Sequence, residues 1–161
     1  MDTIAGLLEK SRWIYRETVR LHGLAPETRI ASSLSALEVL TVLYYGGILR
    51  YKADEPDWPG RDRMIISKGH GGIAVYPILC DLGFFDETML NSIAAEGSHL
   101  GVIPGLSTPG IETTNGSLGL GPGVGSGMAI ALRVKKRKER VFVMVGDGEI
   151  NSGAVWEAIM L

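Results

Sequence analysis

Only one cysteine, Cys80, occurs in the 161 residues, and a single thiol excludes an internal disulfide framework. It lies in the apolar stretch 75–82, where a buried thiol in a reducing cytosol is expected rather than a nucleophile. No run of about 18 apolar residues is present, which excludes a membrane-spanning helix. The chain opens on Met1-Asp2-Thr3, without the basic and then apolar segments of a secretory leader. A cytoplasmic protein with no membrane partner is the expectation. Neither sign of charge dominates: 16 Lys and Arg against 18 Asp and Glu leave a formal net charge of −2, so no nucleic-acid partner is expected. Both common nucleotide fingerprints are missing as well, since G-x-G-x-x-G occurs in no register and no Walker motif is found.

What is there is a globular composition, 45% hydrophobic over 161 residues, enough to build the core of one ordinary domain. Ile4, Leu7, Leu8, Ile14, Tyr15 and Leu21 fall at helical spacing, predicting a helix from Thr3 to His22 with Gly23 as its stop. Ser35-Ala36-Leu37-Glu38 has the form of a capping box, opening a helix through Leu43 that Gly46 and Gly47 end. A short strand, Met64-Ile65-Ile66, follows a Pro- and Trp-bearing surface connection. Pro77 requires the next helix to begin near Ala74, with Gly83 as its stop, and Asp86 caps another through Ala95. The 22 glycines of the chain crowd between Gly97 and Gly153, and 97–127 reads as a long functional loop, with a disordered segment as the alternative. The helix that leaves Gly121–Gly127 carries so many glycines that something must pack closely against it, a cofactor or a partner subunit. Lys135–Lys138 reads as its solvated, cationic end.

Two turns carry the candidate chemistry. Val141–Val145 is a β-branched, apolar strand of the kind buried in a parallel sheet, and it runs into Gly146-Asp147-Gly148. A turn beyond the carboxyl end of such a strand faces the ligand crevice, and its glycines admit a phosphate. Asp147 between them suits Mg²⁺, which takes one or two protein carboxylates and fills its remaining positions with phosphate oxygens and water. The same residues also read as a tight turn in which Asp147 serves its own backbone and Gly148 supplies a positive φ. Ser67-Lys68-Gly69-His70-Gly71-Gly72 repeats the theme: either ring nitrogen of His70 could donate to a phosphate or substrate oxygen, and a plain surface-turn histidine is the alternative.

Taken together, Ser33-Leu34-Ser35, Arg61-Asp62-Arg63, Ser67-Lys68-Gly69-His70, Pro109-Gly110-Ile111-Glu112-Thr113-Thr114, Gly116-Ser117-Leu118-Gly119 and Gly146-Asp147-Gly148-Glu149 resemble the N-terminal, diphosphate-binding part of the transketolase family. The likeness is strongest to forms split between two polypeptides. The resemblance implies an α/β fold with a parallel sheet flanked by helices, here incomplete, with N-terminal helices over 1–50 and a cofactor-binding part over 51–161. It implies thiamine diphosphate and Mg²⁺ as cofactors, with Asp147 as metal ligand, Gly146 and the Gly148 amide at the diphosphate, and Gly116 and Leu118 at the cofactor's rings. His70 would lie over the diphosphate and face the substrate as the catalytic histidine. The implied reaction moves a two-carbon ketol unit from a ketose, a sugar or sugar-phosphate-like substrate, to an aldehyde, with chemistry that belongs largely to the cofactor.

Several positions depart from the family pattern. Arg29 and Ile103-Pro104 stand where the family has sugar-gripping histidines, with His99 too early to replace the second; Asn115 replaces a threonine, Leu120 a glutamine, and Ser152 a glutamate that links two active sites of a dimer. An always-charged guanidinium at Arg29 points to a more anionic substrate, such as a nucleotide-linked sugar or a 2-oxo acid. Two alternatives to a transketolase-like enzyme are a non-catalytic relative that scaffolds or regulates a partner and an unrelated phosphate-binding α/β module. The family's metal-binding asparagine and its pyrimidine-binding domain, with the activating glutamate, are not in this sequence. A second polypeptide or a further C-terminal part, in a homo- or hetero-oligomer, is expected to supply them. The sequence ends in an apolar helix start, Ser152 to Leu161, so these 161 residues alone are expected to be inactive, poorly soluble or associated, and to expose an apolar patch.

Overall fold

The computed structural model describes residues 3–114 and 116–161. Helices α1 (Ile4–Leu24), α2 (Ile30–Leu34) and α3 (Leu37–Tyr45) precede strand β1 (Arg63–Ile66). After β1 come a 3₁₀ turn (Gly69–Ala74), α4 (Val75–Asp81), α5 (Glu87–Leu90), a long loop, α6 (Leu120–Val134), strand β2 (Val141–Met144), a second 3₁₀ turn (Glu149–Asn151) and α7 (Gly153–Met160). The strands pair in parallel, with Arg63 opposite Val141 and Ile66 opposite Met144. That register brings both carboxyl ends to the same level, and the Ser67 N–H continues the ladder to the Met144 carbonyl at 2.9 Å. The fold is the expected α/β arrangement with a parallel sheet between helices.

One face of the sheet meets the main core, in which Ile14, Leu21, Leu40, Tyr76, Ile78 and Leu79 are fully or nearly fully buried and against which Phe142 and Met144 pack. Helix α6 covers the other face through glycine. A Cβ on Gly125 would sit 2.5 Å from Val143 Cγ2, and one on Gly121 would sit 2.3 Å from Ser67 Oγ. The close neighbour required by this glycine-rich helix is therefore the chain's own sheet. At these two positions that corrects the expectation of a cofactor or a second polypeptide. Gly123 and Gly127, on the opposite side of the helix, meet nothing within 4 Å.

Asp62 joins the starts of the two strands. Its side chain is fully buried and takes Arg50 Nη2 at 2.7 Å on one oxygen and Arg140 Nη2 at 2.7 Å on the other, with the Arg140 amide at 2.8 Å. Burial alone would raise this carboxyl, but the hydrogen bonds from Arg50 and Arg140 outweigh it and hold the group well below the usual carboxylate range.

Local boundaries differ from the sequence reading for identifiable reasons. Gly23 lies inside α1, which ends at the Ala25 amide bonded to Leu21 O. Ser35 is not an N-cap: α3 follows Ala36, and the Ser35 hydroxyl donates to Ser32 O and accepts from Lys68 Nζ. Pro77 is the third residue of α4, where its missing N–H costs nothing. Gly83 ends the segment at φ +87. Asp86 does cap α5 through the Met89 amide, but that helix stops at Leu90 instead of Ala95. Cys80 is half-buried, and burial together with the carboxylates of Glu87, Asp86, Asp81 and Glu17 pushes its thiol up, toward an unreactive state. No helix among the described residues is long and apolar enough to cross a membrane.

Candidate active site

Because both strands end at one level, the turns that follow them face each other across a cleft of about 280 Å³. Its lining is Ser32 and Ser35 from around α2, Lys68 and His70 after β1, Leu118 from the long loop, and Gly146 to Glu149 after β2. The cleft thus gathers His70, Leu118, Gly146, Asp147 and Gly148 from segments far apart in sequence. Gly116 and Arg29 are exposed and do not line it; Arg29 sits as the residue before α2 with no side-chain capping bond. Asn115 lies outside the described residues.

The turn after β2 is not the self-satisfied turn that its sequence also allowed. Gly148 has φ −69 and ψ −40, a helical conformation open to any residue, so no positive φ is supplied here. The Asp147 carboxylate is exposed and accepts no hydrogen bond from its own backbone; the bond at this residue is Asn151 Nδ2 to the Asp147 carbonyl. The Gly148 amide has no acceptor among the described residues. An exposed carboxylate beside an uncommitted N–H, both opening on one cleft, fits one protein ligand of a divalent cation and one donor to the phosphate that the cation carries. No group of three or more His, Cys, Asp or Glu side chains converges among the described residues, so phosphate oxygens and water would complete the shell of any cation held here.

Glycines in the 67–72 turn serve close packing instead of leaving room around His70. A Cβ on Gly71 would sit 2.5 Å from Lys68 Cε and 2.6 Å from Ser32 O; on Gly72 it would strike the Pro104 ring at 2.3 Å. The segment Ile103-Pro104 therefore rests directly behind the histidine turn. His70 itself is half-buried in the 3₁₀ turn and lines the cleft.

Two residues escaped functional notice in the sequence. Lys68 reaches Ser35 Oγ at 2.9 Å, and burial lowers its ammonium while the carboxylates of Asp147 and Glu149 raise it, the first effect being larger. Glu149 is buried, unlike its neighbours Asp147 and Gly148. One oxygen accepts the Gly119 amide at 2.7 Å and the Ser67 hydroxyl; the other accepts the Gly146 amide at 3.0 Å. No local signal marks it, because two of these three donors, Ser67 and Gly119, lie 82 and 30 residues away in sequence.

The remaining motif segments prove to be braces. Arg61 grips Glu112 through Nε at 2.7 Å and Nη2 at 3.0 Å, a bidentate geometry, and so ties the 109–114 segment to the approach to β1. Within the loop, Thr108 is buried with its hydroxyl on His99 O at 2.8 Å, and Tyr76 donates to Gly101 O at 2.7 Å. The His99 residue itself is exposed.

A family model described as "Transketolase, thiamine diphosphate binding domain" matches residues 30–161. A 6-deoxy-6-sulfo-D-fructose transketolase subunit of Clostridium sp. is 38% identical over 132 residues, covering 81% of this chain and 48% of that protein. An apulose-4-phosphate transketolase subunit of Phocaeicola vulgatus is 37% identical over 160 residues, covering 99% and 56%. The crystal structure of transketolase from Campylobacter jejuni superposes with a TM-score of 0.91 at 25% identity, over 98% of this chain and 26% of that one. The chain spans about half the length of the two subunits it resembles.

Proposed function

The chain belongs to the transketolase family, in its thiamine diphosphate-binding domain, and from that premise we propose that it forms part of a Mg²⁺-dependent enzyme of two-carbon ketol transfer. When bound, thiamine diphosphate supplies the nucleophilic carbon that cleaves a ketose and passes the ketol unit to an aldehyde. The chain's part is binding and electrostatics. Asp147 takes the cation and Gly148 N–H a phosphate oxygen, while the Lys68 ammonium adds a second positive charge to the diphosphate side. Leu118 packs against the rings, with Gly116 a short way along the same loop. His70, on the facing turn, would offer a ring N–H to a substrate oxygen.

The observation that carries this reading is the exposed Asp147 carboxylate beside the open Gly148 amide, on a cleft shared with His70 and Lys68. The domain that completes the site, with the activating glutamate, comes from a further part of the protein or a partner polypeptide, in keeping with the half-length match to transketolase subunits. The substrate is an anionic sugar. Support for this comes from two relatives, named for a sulfo sugar and a sugar phosphate; Arg29 is exposed before α2, outside the cleft, and lends it none.

Calorimetric titration of the full-length protein tests the assignment. Wild type should bind thiamine diphosphate only with Mg²⁺ present, and Asp147→Ala should abolish that Mg²⁺-dependent binding with an unchanged circular dichroism spectrum, because the carboxylate makes no fold contact among the described residues. Unchanged Mg²⁺-dependent binding by the variant would refute the role of Asp147.

A further inference from the structure

Helix α6 begins where one would look for a phosphate, at a glycine-rich helix N-terminus beside the cleft. That position is already taken. The Gly119 amide is bonded to Glu149 Oε1 at 2.7 Å and the Gly121 amide to Ser67 Oγ at 3.1 Å, while Ser67 donates its own proton to the same Glu149 oxygen. The second Glu149 oxygen holds the Gly146 amide at 3.0 Å. One buried carboxylate thus bridges the end of β1, the turn after β2 and the start of α6. From the other side Ser152 presses on the same point, since a Cβ at Gly119, φ +87, would meet Ser152 Oγ at 2.5 Å.

The consequence is geometric. Leu118, one residue before Gly119, and Gly146, one residue before Asp147, occupy two sides of the cleft, and Glu149 spans the gap between them through both of its oxygens. We propose that Glu149 is a positioning residue that sets the distance between the Gly146–Gly148 turn and the Gly116–Leu118 segment, so that one molecule can engage both at once. This rests on the cofactor reading given above. Glu149 touches neither diphosphate nor rings; its side chain is consumed by the chain's own donors, and its effect is confined to ligands long enough to reach both segments.

A long ligand and a short one separate positioning from general stability. In the full-length protein, Glu149→Asp keeps two oxygens and the charge but shortens the bridge by one methylene, drawing the segments together. Thiamine diphosphate with Mg²⁺, which must reach both segments, is expected to lose at least tenfold in affinity by calorimetry. Magnesium pyrophosphate, which needs only the turn, should change by less than twofold. Should Glu149→Asp fail to fold, Ser67→Ala removes one donor to the bridge and should show the same asymmetry at smaller amplitude. Equal losses for both ligands would reduce Glu149 to a fold-stabilising residue, and no loss for either would remove it from the site; each overturns the proposal. A wild-type protein that binds neither probe would instead overturn the cofactor reading, and the proposal with it.

Discussion

Three glycines on α6 make the same substitution run in opposite directions. Replacing an interior helix glycine by alanine gains about 1 kcal/mol from backbone entropy. Gly127 meets nothing within 4 Å, so Gly127→Ala should stabilise by about that amount. At Gly125 the new methyl would sit 2.5 Å from Val143 Cγ2 and 3.5 Å from Val141 Cγ1. Both partners are stiff β-branched residues on a paired strand and cannot swing aside. Overpacking of this kind costs about 1–3 kcal/mol, so Gly125→Ala should lose up to about 2 kcal/mol net. Gly121→Ala is worse, because its methyl would lie 2.4 Å from Ser67 Cβ and 3.0 Å from Ser67 Cα. It must also break the Ser67 bonds to Gly121 and Glu149, each worth about 1 kcal/mol. Thermal unfolding of the full-length variants, followed by circular dichroism, should rank Gly127→Ala above wild type, then Gly125→Ala, then Gly121→Ala. Each kcal/mol corresponds to roughly 2–4 °C for a domain of 150–250 residues. A Gly125→Ala protein as stable as Gly127→Ala would refute the packing of this helix on the sheet.

Two further expectations concern charge. Asp62→Asn should cost about 3 kcal/mol by breaking a pair whose acid side is fully buried. Since the folded-state pKa lies below the unfolded carboxylate value of about 3.9, the stabilisation is complete above about pH 5 and fades as the pH falls through the folded-state pKa. Urea midpoints for the two proteins should therefore differ by a constant amount from pH 8 to 5 and converge below pH 4, and a gap unchanged at pH 3 would contradict this. Lys68→Met should weaken magnesium pyrophosphate about tenfold, the value of one charge-assisted hydrogen bond of about 1.5 kcal/mol. Its melting temperature should stay close to wild type, and unchanged affinity would remove Lys68 from the diphosphate side.

How much of this was legible in the sequence depends on how local each determinant is. Gly83 as a stop and Asp86 as a cap are decided within a few residues, and both are found in the structure. The capping box at Ser35 failed because its hydroxyl is claimed by Lys68, from a segment 33 residues away. Asp147 and His70 stood out because glycines frame them, and the strand ends bring them to one cleft. Glu149 adjoins the same turn and was passed over, since its three donors come from residues 67, 119 and 146, and no local pattern announces a carboxylate that bridges three segments. Arg61 and Glu112 were both visible as motif members. Their mutual grip across 51 residues was not, and it turns two apparent signatures into one brace.

The parallel pairing of β1 with β2 also governs the order in which the molecule can form. Asp62 and Arg140, which lock the strand starts, lie 78 residues apart, so a nascent chain has made β1 long before its partner exists. Helices α1 to α4 can meet one another in that interval because all of them precede residue 82, and they give the first half of the chain a place to collapse. Until residue 141 emerges, β1 keeps an unpaired edge, the condition in which apolar strands stray toward other chains. Closing so long a loop is slow. The rate at which the sheet zips, and the demand the protein places on chaperones while it waits, is thus set by the β1–β2 pairing on whose carboxyl end the cleft is built.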